Sequence, residues 1–356
     1  MAKVQTIGVL TSGGDCAGLN AVIRAVTQHA VGTYGWRVLG LRQGHLGLLE
    51  TPPAVVDMIL DSATHDLLRS GGTVLGTTTK GDPFSFTEPD GTVRDRSTDV
   101  ISAIRNLAID ALVVIGGDGS MRLFDRLCRL GNLRWVGIPK TIDNDVPGTD
   151  FTVGFFTAVE VVTDALDRLS STAASHRRIM VLEVMGRDSG FIALFGGIAG
   201  GADIILVPEL DYDMEVLTEN VRRITEGRPN PVLVVVAEGV KPPPGIPTAT
   251  SQAGAGTVIA TELQKRTGID ARCTVLGHLQ RGGVPTAFDR ILATSFGVRA
   301  VDVLAGTKSA RLVAWKEGTV VDIPMAEVIT GPQKVAHESL LLKTATSIGI
   351  YIGGHG

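Results

Sequence analysis

Three aspartates carry the first chemical signal in this chain of 356 residues. Asp143 and Asp145 stand two positions apart in the segment TIDND, and Asp118 lies inside the segment GGDGS. A carboxylate can accept the proton of a hydroxyl during phosphoryl transfer, and Mg²⁺ binds one or two carboxylates together with phosphate oxygens. We predict that Asp143 or Asp145 is the general base, with the other near the metal that Asp118 binds. Lys140, next to this segment, can neutralise the charge of a transferred phosphate. A solvated turn or a fragment of a calcium-type loop also fits the DND segment, and Asp118 or Ser120 could instead cap a helix.

Glycine-rich segments accompany these groups. Residues 13–18 read GGDCAG, residues 116–120 read GGDGS, and glycine makes up 44 of the 356 residues, about 12% against an average near 7%. Glycine lets a backbone approach a phosphate closely, and the N–H groups at the start of a helix attract anions. Neither segment has the Walker A or the GxGxxG spacing, which argues against a dinucleotide-dependent oxidoreductase. A tight turn between a strand and a helix is the alternative interpretation of residues 13–18.

Basic residues form a second group with a possible role in binding phosphate. Arg178 precedes one apolar run and Arg187 follows it, while Arg272, His278 and Arg281 surround another. The planar, forked guanidinium group suits phosphate monoesters, and a nearby histidine adds a donor. Solvated surface charge is the usual alternative for a single arginine, and it fits Arg281 less well because that residue stands among glycine, histidine and apolar residues.

The elements that must position these residues are read from the hydrophobic pattern. Continuous apolar runs predict buried parallel strands at residues 6–11, 111–115, 135–139, 179–184, 204–208 and 232–237. Helical patterns cover residues 19–31, 97–107, 120–130, 155–169, 191–199, 214–226 and 288–304. Strands that alternate with helices on this scale predict a doubly wound α/β fold. Nearly every polar cluster follows the carboxyl end of a strand, where ligands bind in open α/β sheets.

The ordered set of motifs resembles the phosphofructokinase family, in its bacterial-type form. The motifs are VLTSGGDCAGLNAVIR, GGTVLG, GGDGS, PKTIDND, GTDFTVGFFTA, SHRRI, EVMGRDSG, VPE and TVLGHLQRGGVPTAFDR, and they span Ile7 to about Leu304. The resemblance implies phosphorylation of fructose 6-phosphate at its 1-hydroxyl by MgATP or pyrophosphate. It also implies two doubly wound, three-layer α/β/α lobes with the active site in the cleft between them. We expect a phosphoryl-donor lobe of residues 1–154 plus about 283–330, and a fructose 6-phosphate lobe of residues 155–282 plus the C-terminal tail.

The resemblance also assigns roles to individual residues. Asp143 would be the general base, and the other catalytic residues would be Thr141, Lys140 and Arg187. Asp118 would hold Mg²⁺, and the donor would bind at Gly13, Lys80, Asp118, Gly119 and Ser120. The sugar phosphate would bind at Thr141, Asp143, Asp145, Arg178, Met185, Gly186, Arg187, Glu238, Arg272, His278 and Arg281. In a homodimer or homotetramer, Arg178 and Arg272 would complete the site of a neighbouring subunit.

Two positions bear on the phosphoryl donor. In the family, glycine at the position of Gly119 leaves room for the α-phosphate of ATP, whereas aspartate there favours pyrophosphate. Lysine at the position of Lys140 is typical of pyrophosphate enzymes and of a set of ATP enzymes. The pair favours ATP, with a pyrophosphate-dependent fructose 6-phosphate 1-phosphotransferase as the alternative. Two departures concern the same site: Lys80 stands near the place of a frequent family arginine, and His45 stands where an aromatic residue stacks on adenine.

Composition excludes several other classes of protein. The net charge of −4 lacks the basic balance of a nucleic-acid binder. No run approaches the ~18–20 apolar residues of a membrane span, and the N-terminus MAKVQTIGVL lacks a signal-peptide layout. Cys16, Cys128 and Cys273 are odd in number and widely spaced, which argues against a disulfide framework or a zinc site. We therefore expect a cytoplasmic enzyme that binds neither nucleic acid nor membrane. Residues 241–256, rich in proline, alanine, serine and glycine, are predicted to form a flexible surface loop.

Overall fold

The apolar runs predicted as strands all form β-strands, and they lie at the centre of the fold. The computed structural model describes residues 4–226, 231–242, 254–306 and 308–354. The strands are β1 (Thr6–Thr11), β2 (Arg37–Leu41), β3 (Val55–Met58), β4 (Phe86–Thr87), β5 (Val93–Arg94), β6 (Ala111–Gly116), β7 (Arg134–Pro139), β8 (Ile179–Val184), β9 (Ile204–Leu206), β10 (Val232–Ala237), β11 (Ala271–Val275), β12 (Arg311–Lys316) and β13 (Thr319–Pro324).

Helices alternate with these strands along the chain. The α-helices are α1 (Leu19–Tyr34), α2 (Ser62–Asp66), α3 (Ser97–Asn106), α4 (Asp118–Gly131), α5 (Phe155–His176), α6 (Phe191–Ala199), α7 (Met214–Thr225), α8 (Ala255–Thr267), α9 (Ala287–Ala305) and α10 (Leu340–Ser347). Short 3-10 segments cover Leu46–Leu49, Leu67–Arg69, Gly277–Arg281 and Met325–Glu327. Among the described helices, none has the length and apolar character needed to cross a membrane.

The chain divides into two units, each of which takes in separate parts of the sequence. Unit 1 consists of Met1–Thr141, Asp145–Gly154 and Arg281–Pro332. Unit 2 consists of Ile142–Asn144, Phe155–Gln280 and Gln333–Gly356. The short segment Ile142–Asn144 therefore belongs to unit 2, although the residues on both sides of it belong to unit 1.

Unit 1 is built on a seven-stranded sheet of order β13-β12-β7-β6-β1-β2-β3. Its inner strands run parallel, and only β3 and β13 are antiparallel to their neighbours. All six residues of β6 are buried, because helices cover both faces of a doubly wound sheet. Helices α1 and α9 pack closely, since a Cβ at Gly297 would lie 2.6 Å from the Cβ of Ala25. The winding reverses between β1 and β6, and ligands bind at such a point in open α/β sheets.

Unit 2 is built on a four-stranded parallel sheet of order β11-β8-β10-β9. Strands β8 and β10 are buried along their full length, as the apolar residues that make up all of β10 and all of β8 except Glu183 predict. The C-terminal tail extends this unit beside β9, where Ile205 N–H donates to the Tyr351 carbonyl at 2.8 Å. The expected doubly wound α/β class is confirmed for both units.

Several expected details were wrong. Helix α4 begins at Asp118, two residues before the predicted start, and Gly117 is its N-cap, so neither Asp118 nor Ser120 caps it. Most of the loop predicted at residues 241–256 lies outside the described residues, but its last two residues already belong to α8. In that first turn, Gly256 N–H donates to Oε2 of Glu183 at 2.8 Å, so a side chain from β8 supplies an acceptor at the start of the helix.

Candidate active site

The ends of β1 and β6 bring the first two glycine segments together in unit 1. Ser12 N–H donates to the Ile115 carbonyl at 2.9 Å, and the Ser120 hydroxyl donates to the Ser12 hydroxyl at 2.9 Å. Gly13 has a φ of 86°, in the left-handed region that glycine tolerates best. The loop after β1 and the first turn of α4 therefore form one surface, and the predicted donor residues Gly13 and Ser120 both lie on it.

Helix α4 begins inside the segment GGDGS. Asp118 is its first residue and is 8% exposed, and its Oδ2 lies 2.5 Å from Nη2 of Arg122 one turn later. Gly119 is exposed, and a Cβ built there would meet no heavy atom within 4 Å. At Gly116, in contrast, a Cβ would lie 2.5 Å from the Cβ of Ser120. Packing within the protein therefore requires glycine at position 116. It does not require glycine at position 119, where a side chain would fit.

Lys140 lies against the first glycine segment. Its side chain is buried, with 3% exposure, and its Nζ donates to the Gly14 carbonyl. Its backbone N–H donates to the Gly116 carbonyl at 2.9 Å. The ammonium group thus places a positive charge within the loop region that is predicted to hold the donor. Of the neighbouring predicted residues, Thr141 accepts from the Thr152 hydroxyl through its carbonyl at 2.6 Å.

Arg281 also lies in unit 1 and contacts the same glycine segment. Its Nη1 donates to the Asp15 carbonyl at 3.1 Å. A Cβ at Gly14 would lie 2.7 Å from that nitrogen. The resemblance assigns Arg281 to the sugar phosphate, and in this chain its guanidinium rests on the predicted donor loop.

The segment that contains Lys80 packs on the same loop. Gly13 N–H donates to the Thr78 carbonyl at 2.9 Å, and the Thr77 hydroxyl donates to the Gly13 carbonyl at 2.7 Å. Lys80 itself is exposed, so its ammonium group can approach a bound anion. His45 is different, because it is buried and its Nε2–H donates to the Gly81 carbonyl, and burial lowers the pKa of its imidazole. A neutral, buried imidazole at that position offers no stacking surface to a nucleotide.

The loop after β8 carries three predicted sugar-binding residues in unit 2. Met185 N–H donates to Oε1 of Gln280 at 2.8 Å. Oε1 of Glu238 accepts from the N–H groups of Gly186, at 3.3 Å, and Arg187, at 2.9 Å. Arg187 has a φ of 53°, an unfavourable conformation for a side chain of this size, which persists only when its surroundings fix it. Glu238 thus shapes this loop directly, and Gln280 is a site residue that the motif GHLQRGG contained but that we did not predict.

Asp143 is 3% exposed and belongs to unit 2. Its carbonyl accepts from the Ser189 hydroxyl at 3.2 Å. The carbonyl of the next residue, Asn144, accepts from Nε2 of Gln333 at 2.8 Å. The sequence reasoning missed both donors: Ser189 stands in the motif EVMGRDSG, whereas Gln333 stands in no motif. Asp145 is half-buried and belongs to unit 1.

Arg178 and Arg272 lie at the opposite end of the unit 2 sheet from the loop after β8. Nε of Arg178 lies 2.6 Å from Oδ2 of Asp270, and Nη1 of Arg272 lies 2.7 Å from its Oδ1. Arg178 directly precedes β8, whereas Met185 directly follows it. A six-residue strand spans about 20 Å. One copy of the chain therefore does not bring these two arginines to the loop after β8, or to His278, which follows β11 and is exposed.

The metal that the resemblance implies can be tested against the chemistry of these residues. Among the described residues, no cluster of three or more histidine, cysteine or acidic side chains could hold an ion by itself. Mg²⁺ commonly takes one or two protein carboxylates and completes its shell with phosphate oxygens and water. Asp118, the first residue of α4, is a carboxylate of the kind that such an ion binds.

Cys16 lies in the first glycine segment without being a nucleophile. Its thiol is buried and donates to the Val153 carbonyl at 3.4 Å. Burial raises the pKa of this thiol to about 12. Because the thiolate is the reactive form, covalent chemistry at Cys16 is disfavoured.

Comparison with known proteins places these features in a family context. The family model described as Phosphofructokinase matches residues 6–304. The protein named ATP-dependent 6-phosphofructokinase 1 from Synechocystis sp. is 50% identical over 99% of both chains. The protein of the same name from Nostoc sp. is 49% identical over 99% of this chain and 100% of its own.

Solved structures show the same fold. The crystal structure of Pichia pastoris phosphofructokinase in the T-state superposes with a TM-score of 0.79 and 33% identity, over 92% of this chain and 36% of that chain. A pyrophosphate-dependent phosphofructokinase from Marinobacter aquaeolei superposes with a TM-score of 0.82 at 22% identity, over 99% of this chain and 93% of that chain. The second likeness concerns the fold alone.

Proposed function

The chain belongs to the phosphofructokinase family, and from that premise we propose that it transfers the γ-phosphoryl group of ATP to the 1-hydroxyl of fructose 6-phosphate. The products are fructose 1,6-bisphosphate and ADP, which makes the protein a glycolytic phosphotransferase. The observation that carries the proposal is identity of 50% along the whole chain to a protein named ATP-dependent 6-phosphofructokinase 1.

Asp143 is the proposed general base. A buried carboxylate that accepts the proton of the 1-hydroxyl strengthens the attacking oxygen as the phosphoryl group departs from the donor. The hydroxyl of Thr141 and the ammonium of Lys140 are suited to the phosphoryl oxygens, and Arg187 is suited to the charge that develops on them. A bound Mg²⁺, held by Asp118 and the donor phosphates, would neutralise part of that charge.

The donor is proposed to bind on the surface formed by the two glycine segments of unit 1. The first turn of α4 begins at Asp118 in this surface, and the N-terminus of a helix favours phosphate. Gly119 lies in that turn with open space around its Cα, which leaves room for a nucleotide. Ser120, Gly13 and Lys80 complete the proposed set.

The sugar phosphate is proposed to bind at Met185, Gly186, Arg187, Glu238, His278 and Arg281, with Asp145 and Thr141 beside the base. Arg178 and Arg272 are proposed to serve the site of a second copy of the chain. Support comes from their position about one strand length from the loop after β8. A homodimer or homotetramer follows from this proposal. The magnesium ion and the cytoplasmic location also stay predictions.

The decisive experiment is an assay of fructose 1,6-bisphosphate formation with fructose 6-phosphate and Mg²⁺, run with ATP and pyrophosphate side by side. We expect turnover with ATP and at least 100-fold less with pyrophosphate. Preference for pyrophosphate would establish the second candidate, a pyrophosphate-dependent enzyme, which the lysine at position 140 favours. Absence of turnover with both donors would refute the proposed activity.

The role of the base has a test of its own. Asp143→Asn keeps the volume of the buried side chain and removes the proton acceptor, so turnover should fall by orders of magnitude while fructose 6-phosphate still binds. Asp167→Asn, the same change on the exposed face of α5, is the matched control and should have wild-type turnover. Wild-type turnover in Asp143→Asn would remove Asp143 from this role.

A further inference from the structure

A segment near the C-terminus contacts residues 142–146, which include the proposed base Asp143 and are called the catalytic loop below. Residues 333–335, called the C-terminal strap below, lie beyond the part of the chain that matches the family model. Nε2 of Gln333 donates to the carbonyl of Asn144 at 2.8 Å. We propose that Gln333 is a positioning residue for Asp143, an inference that rests on the proposed function of that aspartate.

The backbone on both sides of Asn144 needs such support. Asn144 has a φ of 53°, in the left-handed region that L-residues seldom adopt. The carbonyl before it, that of Asp143, accepts from the Ser189 hydroxyl at 3.2 Å, and its own carbonyl accepts from Gln333. Each bond fixes the plane of one peptide group. Together the two bonds fix both peptide groups that flank Asn144, the residue that directly follows Asp143.

One carboxylate oxygen anchors the segments that supply both donors. Oε1 of Glu209 accepts from Gly190 N–H at 2.9 Å and from Val335 N–H at 2.9 Å. Gly190 directly follows Ser189, and Val335 stands two residues after Gln333. Val335 is itself buried, with 3% exposure. The C-terminal strap is therefore fixed at Val335, two residues after Gln333. The Gln333 amide can then hold the catalytic loop at low conformational cost.

The rest of the tail supports the same interpretation. Beyond α10, Tyr351 N–H donates to the Asp203 carbonyl at 3.0 Å, beside β9. Gly354 N–H donates to the Asp211 carbonyl at 2.7 Å. The tail is thus held by the rest of unit 2 near Gly354 as well as at Val335. Gln333 stands at the start of the tail, where it contacts the catalytic loop.

The test compares Gln333→Met with Lys334→Met. Methionine at position 333 has the length of glutamine without the donor, and Lys334 is the exposed neighbour in the same strap. In Gln333→Met we expect kcat to fall about tenfold, since a small misplacement of a catalytic group is costly. The KM values for both substrates should stay within twofold and the thermal midpoint close to wild type. Lys334→Met should behave as wild type, and Gln333→Lys, which restores a donor, should recover part of the lost kcat.

A second measurement does not depend on the reaction. Amide hydrogen exchange of the peptide that covers residues 142–146 should be faster in Gln333→Met than in wild type and Lys334→Met, because the loop loses the hydrogen bond from Gln333. Unchanged exchange, or kcat within twofold of wild type, would overturn the positioning role. A wild-type protein that is inactive with every donor would refute the proposed function instead, and the exchange result would still decide whether Gln333 holds the loop. If Gln333→Met does not fold, Gln333→Asn, whose shorter amide cannot reach, provides the same comparison.

Discussion

Replacement of Gly119 by aspartate tests the reasoning about the phosphoryl donor most sharply. Gly119 is the second residue of α4, is exposed, and has open space where a side chain would begin. An added carboxylate at the start of a helix gains about 0.3–1 kcal/mol from the helix dipole, and repulsion from the neighbouring Asp118 offsets part of that gain. The free energy of unfolding should therefore change by no more than about 0.5 kcal/mol, as for most surface substitutions.

The effect on nucleotide use should be much larger. Two unit charges about 4 Å apart interact with roughly 4 kcal/mol at an effective dielectric constant near 20. About 1.36 kcal/mol corresponds to a tenfold change in rate, so full repulsion between the new carboxylate and a phosphate would cost almost a thousandfold. Because solvent and salt screen an exposed position, we expect kcat/KM for ATP to fall at least about 100-fold in Gly119→Asp. The steric conflict of the side chain with the nucleotide adds to the same effect.

The assay measures kcat/KM for ATP and for pyrophosphate with saturating fructose 6-phosphate, together with the thermal midpoint. Gly119→Ala adds a single methyl group in open space and should keep ATP use within a few-fold of wild type. Gly119→Asn has the shape of aspartate without its charge, so its activity separates steric exclusion from repulsion. If Gly119→Asp folds normally and keeps kcat/KM for ATP within threefold, the donor argument at this position is wrong.

Two further predictions concern buried titratable groups. Burial raises the pKa of the Glu183 carboxyl. Its ionisation therefore opposes folding in full above the raised pKa of the folded state, and this penalty shrinks as the pH falls from that value to the pKa of the unfolded chain, below which it is absent. Glu183→Gln should accordingly raise the thermal midpoint at pH 8, with a gain that shrinks towards pH 4, and a gain that grows at low pH would contradict the assignment. Burial also disfavours the thiolates of Cys16 and Cys128, whereas Cys273 is only half-buried. Mass spectrometry after brief iodoacetamide treatment of the native protein at pH 8 should therefore find Cys273 modified first. Equal labelling of Cys16 would show that its thiol is not protected by burial.

The central strands could be predicted from the sequence because they are buried on both faces. Strands β6 and β10 are uninterrupted apolar runs, and their predicted and observed bounds agree within one residue. Three of the strands that were missed, β3, β11 and β13, lie at the edges of the two larger sheets, and polar residues interrupt their apolar pattern. Strand β11 (ARCTV) and strand β13 (TVVDIP) are examples, since most of their residues are exposed or only half-buried. Periodicity alone does not distinguish such segments from loops.

The residues of the candidate site also fall into those that could be predicted from the sequence and those that could not. Residues in glycine-rich or charged motifs, such as Asp118, Asp143 and Arg187, could be named from the sequence because their types and spacing are unusual. Their supports could not, because Ser189, Gln280 and Gln333 act through ordinary hydrogen bonds whose partners are distant in sequence. Whether a glutamine near residue 330 meets a loop near residue 144 depends on the packing of the whole unit, which no local pattern records.

The attachment of the C-terminal strap also concerns the order in which the chain is made. The ribosome adds Asn144 to the chain about 190 residues before Gln333. At typical elongation rates of ~5–20 residues per second, this interval lasts roughly 10–40 s. During that time the catalytic loop lacks the hydrogen bond from Gln333, and unit 1 also lacks strands β12 and β13. A nascent chain that has already formed β1 to β11 therefore still lacks the contact at Asn144, so full activity would be acquired only after Gln333 has been synthesised.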